Sequence, residues 1–352
     1  MCSGHFDIWL SASPYDMAGN DFCLFLCCRI RFGKVETFLK TEHYAYSMVP
    51  DQFVEGNILF SDGSSLKTTD GESIHLIVGE PRATGYVEGT ASFAKLNWIH
   101  GIYQLNHTHL LVLDSRNHCL RLVHRETNHT APFVGKCGES GYRDGLDPLF
   151  CEPWAINLLS EDPPVVIVSD RGNNALRVVN ILHRNVSTLP LASQLNSPQY
   201  AMLDKSRNTL FVSNPTRLMK ISMVDYSVED IAGKSTVGHI DGWLEDVTFR
   251  NLDGIVKLSE NVLVIADTGQ SKLKVLDLQQ QFVRSICPGK PYEDSDGDLR
   301  ICKIDRPSSL LMVDGFLYIS GYKVIKRVKG ENTFKKLLKE SCKTASLEIV
   351  QN

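Results

Sequence analysis

The sequence of 352 residues contains no long apolar run. A helix needs about 20 consecutive apolar residues to span a bilayer. The best candidate, FCLFLCCRI at 22–30, is shorter than this and contains an arginine. The N-terminus also lacks a basic region followed by an apolar core, which is the pattern of a signal peptide. The sequence therefore predicts no membrane span in this chain and shows no clear leader.

The chain also lacks an excess of basic residues. Lys and Arg number 37 and Asp and Glu number 41, so the net charge is −4. This balance argues against a surface dominated by cations, although it leaves room for a local patch. Lysines concentrate only near the C-terminus, in KVIKRVKG at 323–330 and NTFKKLLK at 332–339. We therefore do not expect nucleic-acid binding, and RNA remains an alternative partner.

Familiar metal-binding patterns are missing as well. The 10 cysteines include no CxxC pair, which is the usual spacing in structural zinc sites, and the 11 histidines recur at no fixed interval. The cluster at 23–28 contains CxxxC with an adjacent cysteine and no matching pair nearby, so it is read as a buried strand. We therefore predict no metal and no cofactor.

What the sequence does contain is a repeat. The segment SDRGNNALRVV at 169–179 has counterparts in LDSRNHCLRLV at 113–123 and ADTGQSKLKVL at 266–276, and three weaker copies exist. One column through all six has steps of 52, 56, 44, 53 and 53 residues. A period of about 40 to 55 residues, carried by strand-like units, is typical of a propeller or a related array. The column consists of Asp62, Asp114, Asp170, Asn214, Asp267 and Ser320.

A second repeated feature precedes three of these segments. It is an acidic residue followed by Gly and, some residues later, by Phe, and a degraded copy stands at 294–301. An acidic-Gly pair suits a tight turn because Gly takes positive φ without a steric clash. The Phe is expected to plug the space between neighbouring units, ahead of a short apolar strand. Each unit thus reads as a turn, a plug and four strands, which is one propeller blade. The predicted plugs are Phe93, Phe150 and Phe249.

These features resemble the NHL-repeat family of six-bladed β-propellers. Besides the turn and the Phe, the resemblance depends on the segment D-x-x-N-x-x-[IL]-R. It covers about 44–330 and is strongest in the second and third units. The resemblance implies an all-β propeller of four-stranded blades, in a family whose functions are diverse. The segment is present as Asp114, Asn117 and Arg121, and again as Asp170, Asn173 and Arg177.

The flanking segments leave the closure of the ring open. Residues 1–43 form an N-terminal segment, in which 23–40 resembles the last two strands of a blade. These strands either pair with the final unit and close the ring or belong to an extra blade, and HFDIWLSAS at 5–13 keeps a seventh blade possible. For 331–352 we expect an outer strand or short helix and a tail.

Two pairs of cysteines bracket equivalent acidic-Gly loops. Cys137 and Cys151 are 14 residues apart, and Cys287 and Cys302 are 15 apart. We predict a disulfide in each pair, with each loop closure worth about 3 kcal/mol in the chain-entropy model. The alternative is that reduced cysteines serve as small core residues.

Disulfides would place the chain in an oxidising compartment. Three N-x-[ST] glycosylation sequons, at Asn106, Asn128 and Asn185, are compatible with that location. The missing leader counts against secretion, unless the chain is part of a larger ectodomain or begins at a misassigned start. We expect an extracellular protein, and a cytoplasmic one is the alternative.

The candidate ligand site is the mouth of the central channel. Counting from the plug Phe puts Asn97, Trp154 and Asp253 there, with Gln199 and Ser308 as counterparts in the less regular units. Such a ring could hold a small polar ligand or a weak cation. It resembles lactonase-type and lyase-type propellers in architecture but contains one carboxylate, fewer than a calcium site prefers. A hydrolase or lyase remains an alternative function, and so does a solvated mouth that binds nothing.

The repeated charged residues are assigned to the scaffold. Asp114, Asp170 and Asp267 are each expected to cap the backbone of their own hairpin, because every good repeat requires one. We therefore predict a non-catalytic, monomeric interaction scaffold that binds a protein partner through its face loops. Trp243, in the long loop at 234–247, is either an exposed anchor for that partner or packs on the next blade.

Overall fold

The computed structural model describes residues 33–329. Their strands form six antiparallel sheets arranged as a β-propeller, which confirms the predicted all-β, six-bladed fold. The predictions for 5–13, for the cysteine cluster at 23–28 and for 331–352 lie outside the described residues. The described part of the chain contains no helix that could span a bilayer.

The strands follow one another in a regular order around the ring. In chain order they are β1 (Lys34–Tyr44), β2 (Met48–Pro50), β3 (Ile58–Asp62), β4 (Ser65–Thr69), β5 (Ile74–Gly79), β6 (Gly89–Thr90), β7 (Ile99–Gln104), β8 (His109–Asp114), β9 (Cys119–His124), β10 (His129–Val134), β11 (Pro153–Ser160), β12 (Val165–Asp170), β13 (Ala175–Asn180), β14 (Asn185–Thr188), β15 (Tyr200–Asp204), β16 (Thr209–Ser213), β17 (Leu218–Ser222), β18 (Val228–Ala232), β19 (Gly242–Trp243), β20 (Leu252–Ser259), β21 (Val262–Asp267), β22 (Lys272–Asp277), β23 (Phe282–Ile286), β24 (Gly297–Asp298), β25 (Leu310–Val313) and β26 (Phe316–Lys329). Single 3-10 turns are Ala91–Phe93, Ser115–Asn117, Arg171–Asn173 and Thr268–Gln270.

Each blade runs from an inner strand at the channel to an outer strand at the rim. The orders are β2-β3-β4-β5, β7-β8-β9-β10-β6, β11-β12-β13-β14, β15-β16-β17-β18 and β20-β21-β22-β23-β19 for blades one to five. Because neighbouring strands are antiparallel, the inner strands all begin at the same face. That face, here the top face, also carries the hairpins between second and third strands and the ends of the connections between blades. The other hairpins lie on the opposite, bottom face.

Blade six joins the two ends of the described chain. Its order is β25-β26-β1-β24, and β1 pairs with β26 from Val35↔Val328 to Tyr44↔Tyr322. β26 pairs with β25 through residues 316–319 and with β1 through residues 322–328, so this one strand serves both middle positions of the blade. The early strand β1 therefore follows it toward the rim, with the short β24 at the edge. This pairing covers a sheet edge that would otherwise be left open.

Apolar side chains fill the space between neighbouring blades. One buried residue ahead of each inner strand from blade two to blade six supplies the plug, and Phe150 and Phe249 are confirmed in this role. The prediction for Phe93 is wrong, because its 3-10 turn leaves this ring 80% exposed. Leu96, three residues later, takes the position. The plugs are Leu96, Phe150, Leu195, Phe249 and Ile304.

The repeated aspartates connect two parts of each blade. Asp170 Oδ1 accepts a hydrogen bond from the Cys151 amide at 2.8 Å, and Oδ2 accepts from Arg177 at 2.6 Å. Arg177 also donates to Asp144 of the acidic-Gly turn at 2.7 Å. The aspartate therefore ties the loop that leads into the inner strand to the hairpin. The prediction that it caps its own hairpin is wrong, since its amide donor lies 19 residues upstream.

Blade five uses a less complete version of this arrangement. Lys274 replaces the arginine and donates to Asp241 at 2.6 Å. Asp267 Oδ1 still accepts from the Arg250 amide at 3.0 Å, whereas its Oδ2 has no hydrogen-bond partner within residues 33–329. Burial is the largest influence on the pKa of Asp267 and raises it to about 7. The hydrogen bond from the Arg250 amide acts in the opposite direction.

One of the two predicted disulfides forms as expected and the other has a different partner. Cys287 and Cys302 are bonded, with their Cα atoms 4.6 Å apart. Cys137 pairs with Cys119, at a Cα separation of 5.1 Å, and not with Cys151. The reason is topological. Cys119 begins β9 and Cys137 follows β10, and these paired strands end together at the top face, whereas Cys151 belongs to the next blade.

Candidate ligand-binding face

In blades two, three, five and six the residue four positions after the plug lines the mouth of the channel, whereas in blade four Gln199 is buried and the next residue, Tyr200, lines the mouth. His100, Trp154, Asp253 and Ser308 line the resulting space, and Tyr46 supplies the side chain of blade one. The prediction of Asn97 is wrong, because it was counted from Phe93. Its backbone amide instead donates to Asp114 Oδ1 at 2.6 Å.

The polar half of the mouth is built around Asp253. Ser308 Oγ donates to Asp253 Oδ2 at 2.9 Å. Burial raises the pKa of Asp253 to about 6, against the opposing effects of Ser308, Trp154 and Arg171. Gln199 is fully buried beside this half and donates to Asn251 Oδ1 at 2.7 Å. These groups form an internal network.

The other half of the mouth is aromatic. The His100 ring stacks on Trp154 with centroids 3.9 Å apart, and Tyr46 packs on His100 at 4.2 Å. Neither ring nitrogen of His100 has a hydrogen-bond partner among the described residues. Burial, assisted by Arg171 and Arg116, lowers the pKa of His100 to about 3, so the imidazole is neutral at physiological pH.

The packed ring nearly closes the channel. The cavity it lines has a volume of about 30 Å³, which accommodates a water molecule and no organic substrate. Within residues 33–329, no three His, Cys, Asp or Glu side chains group in a way that could hold a metal ion. A ligand larger than water therefore cannot enter the channel through this mouth and would have to bind outside it.

Three arginines surround the closed mouth on that face, and we call them the mouth arginines. The Arg171 guanidinium lies 4.3 Å from the centroid of Trp154, that of Arg116 lies 5.3 Å from Trp98, and that of Arg306 lies 4.6 Å from Tyr292. Each comes from a different blade: two stand in 3-10 turns between second and third strands, and Arg306 precedes β25.

The mouth arginines lie on one connected aromatic cluster: Tyr46 packs on Trp98 and Trp154, the partners of Arg116 and Arg171, at 5.4 and 6.0 Å between centroids, and on Tyr44, the partner of Arg306, at 5.1 Å. Arg116 and Arg306 both act on the pKa of Tyr46, which burial raises, and Arg171 and Arg116 both act on that of His100. This cluster was not predicted from the sequence. Its only signal was an arginine in each of two equivalent hairpin turns, while Arg306 lies in the least regular unit.

The three sequons lie on the bottom face. Asn106 lies between β7 and β8, Asn128 lies between β9 and β10, and Asn185 begins β14 directly after a hairpin. All three belong to blades two and three. The top face, which holds the mouth arginines, carries no N-x-[ST] sequon among the described residues.

Trp243 packs on blade five and remains partly exposed. Its ring is 47% exposed and packs edge-on against Phe282, with centroids 5.6 Å apart. It lines a groove of about 650 Å³ between blades four and five, on the outside of the ring. The structure does not bring it near the mouth residues.

No protein-family model and no curated protein matches this chain. Solved structures do match. An auxiliary nutrient binding protein from Bacteroides thetaiotaomicron VPI-5482 superposes with a TM-score of 0.65 at 10% identity, over 85% of this chain and 76% of that one. One from Bacteroides ovatus ATCC 8483 gives 0.63 at 10% identity, over 86% and 77%. A gluconolactonase from Xanthomonas campestris gives 0.56 at 10% identity, over 85% and 90%.

These identities are low, so the likeness concerns the fold alone. The neighbours include binding proteins as well as enzymes, and the fold is compatible with either class. The chain is therefore a six-bladed β-propeller whose ligand has to be inferred from its own surface.

Proposed function

We propose that this protein is a non-catalytic, extracellular interaction scaffold that binds a protein partner on its top face. The observation that carries this proposal is the closed channel mouth, covered by an aromatic cluster and surrounded by partly exposed arginines. A rigid ring that presents such residues on one face is well suited to recognise a partner surface.

The geometry of the mouth favours binding over catalysis. Asp253 and Ser308 are engaged with one another, and the cavity of about 30 Å³ has no space for a lactone or sugar. The name of two structural neighbours, auxiliary nutrient binding protein, is in line with a binding role. The repeated Asp, Asn and Arg segments support an NHL-type scaffold whose recurring parts hold the blades together.

Two features support an extracellular location. The two disulfides are characteristic of an oxidising compartment. The three sequons all lie on the bottom face, so glycans attached there would leave the top face accessible to a partner. We propose that Asn106, Asn128 and Asn185 are glycosylated.

RNA is the less suitable partner. Proteins that bind single-stranded RNA stack its bases on exposed aromatic rings. Here one face of Trp154 is covered by His100, at 3.9 Å, and its ring also lies under Arg171, at 4.3 Å. Among the described residues, the cluster of side chains that closes the mouth therefore offers no free aromatic face on which a base could stack.

The test is to block the top face with a glycan. Gly138 lies at the top face with a φ of 86°, a conformation that Asn tolerates, and a Cβ atom at this position would have no other atom within 4 Å. Gly138→Asn creates a sequon with Glu139 and Ser140. Secreted wild type and variant are screened against purified secreted and cell-surface ectodomains, with Asn106→Gln as the control on the bottom face.

We expect the added glycan to abolish binding of the partner and the control to leave it unchanged. Glycan occupancy is verified by mass, and the fold by circular dichroism. Partner binding that persists with a fully occupied top-face glycan would refute the proposal.

A further inference from the structure

We infer that the top face recognises an acidic peptide segment of its partner, and that the mouth arginines bind its carboxylates. This inference rests on the proposed partner-binding function and specifies the chemistry of the segment that is bound. It depends on three properties of the arginines: their fixed orientation, their incomplete neutralisation and the covered state of the rings beneath them.

The first property is orientation. Arg171 lies 4.3 Å from the Trp154 centroid, and Trp154 is itself stacked on His100 at 3.9 Å. A guanidinium held in this way loses little rotamer freedom on binding and can present its N–H groups to a carboxylate in a bidentate fork. Arg306 is held similarly, because it donates to the Tyr44 hydroxyl while lying near Tyr292.

The second property is incomplete neutralisation. The carboxylate nearest Arg171 is that of Glu152 at 3.9 Å, and the one nearest Arg306 is that of Asp305 at 3.6 Å. For Arg116, no ion pair within 4.0 Å is found inside residues 33–329. By contrast, the scaffold cation Arg177 is 2.6 Å from Asp170 and has no exposed side-chain surface.

The mouth arginines are also accessible. The side chains of Arg171 and Arg306 are 32% and 31% exposed, and Arg116 is more exposed still. A charged group that is fixed and only partly satisfied binds a complementary ligand at a small entropic cost. Fixed, accessible and weakly paired guanidinium groups on one face are complementary to a group of carboxylates.

The third property disfavours planar bases at the closed mouth itself, while Tyr292 beside Arg306 is 79% exposed. Trp154 is sandwiched as described above, and Tyr44 and Tyr46 stack on one another at 5.1 Å. Acidic side chains, including exposed Glu139 and Glu152, lie in the connection that leads into blade three. They would repel a continuous phosphate backbone, whereas a peptide can place its carboxylates at the arginines alone. A small polycarboxylate would find little enclosure on this face.

The inference can be tested with a library of random 12-residue peptides displayed on yeast. Binders are selected with the wild-type protein and then tested against two variants that each remove three positive charges. The first is R116Q/R171Q/R306Q. The second, the matched control on the bottom face, is R184Q/K205Q/R207Q.

We expect the selected peptides to be rich in Asp and Glu. Since hydrogen bonds to charged groups are among the stronger polar contacts, loss of the mouth arginines should weaken binding by at least about 100-fold. The control should change it less than about threefold. R116K/R171K/R306K keeps the charge but removes the planar fork, and should lose about tenfold.

Several results would overturn the inference. Selected peptides poor in acidic residues that still lose binding in R116Q/R171Q/R306Q would refute the acidic chemistry and leave top-face binding intact. Peptides that bind both Gln variants equally would also refute the proposal that the top face is the binding surface. An unsuccessful selection would also count against the inference, as would wild-type binding of a 12-nucleotide single-stranded RNA that depends on the mouth arginines. If the Gln variant fails to fold, the Lys variant alone decides, because full binding by it would exclude the proposed fork.

Discussion

Replacing Asp267 by Asn should make the protein more stable at alkaline pH and less stable at acidic pH. Asp267 is fully buried, and its Oδ2 has no hydrogen-bond partner within residues 33–329. Burial raises the pKa of this carboxyl from 3.8 to about 7. The folded state therefore binds the proton more tightly than the unfolded state does.

The sign and size of the effect follow from this difference in pKa. The contribution of Asp267 to stability is fully present below pH about 4 and is lost as the pH rises through about 7. At about 1.4 kcal/mol for each pH unit between the two values, wild type should lose about 4 kcal/mol from this group between pH 4 and pH 8. Asn cannot ionise, so the variant should lack this part of the pH dependence.

The Asn side chain also has a cost of its own. Its amide N–H groups would occupy the site of the unpartnered Oδ2 and would remain without a hydrogen-bond acceptor. This lowers the free energy of unfolding by about 1 to 3 kcal/mol. The free energy of unfolding of Asp267→Asn should thus be about 1 to 3 kcal/mol below wild type at pH 4 and about 1 to 3 kcal/mol above it at pH 8. Urea unfolding followed by tryptophan fluorescence at several pH values measures both quantities.

Asp170 provides the matched control in blade three. Its Oδ2 accepts a bond from Arg177 at 2.6 Å, so Asp170→Asn removes the partner of a buried cation. It should destabilise the protein at both pH values by about 3 kcal/mol. Parallel pH profiles for wild type and Asp267→Asn would refute the reasoning, because they would mean that Asp267 titrates normally in the folded state.

Three further predictions concern the scaffold and the bottom face. Cys137→Ser should lower the free energy of unfolding by about 3 kcal/mol under non-reducing conditions, whereas Cys151→Ser should change it by less than about 1 kcal/mol; peptide mapping of the unreduced protein would show the bridge. Leu96→Ala should cost about 2 to 5 kcal/mol and Phe93→Ala almost nothing, as judged by urea unfolding, since only the first is buried. Enzymatic removal of N-glycans from secreted protein should reduce its mass at three positions, and unmodified peptides there would contradict the extracellular assignment. These positions are Asn106, Asn128 and Asn185.

The fold was accessible from the sequence because a propeller repeats local structure. Each blade needs its own hairpin at a regular interval, so the column from Asp62 to Ser320 marks the top of every second strand or the residue next to it. The bridge between Cys287 and Cys302 was also predictable, since both cysteines stand at the base of one loop of 15 residues. Local geometry and chain spacing determine such features.

The register of the mouth was harder to predict. The interval from the acidic-Gly turn to the plug varies between blades. In blade two the 3-10 turn at Ala91–Phe93 leaves Phe93, the residue predicted as the plug, exposed at the surface. His100 was overlooked for that reason. Cys119 was overlooked because strand pairing, rather than loop length, places it beside Cys137.

The sequence by itself therefore determined the repeat of four-stranded blades and the position of the hairpin in each, while it left the choice between six and seven blades open. Only the tertiary structure decided what meets at the top face. Arg116, Arg171 and Arg306 are separated by 55 and 135 residues in the chain, and Arg306 lies outside the repeated segment that contains the other two. They converge because closure of the ring brings the same end of every inner strand to one channel, and that proximity is a property of the whole fold.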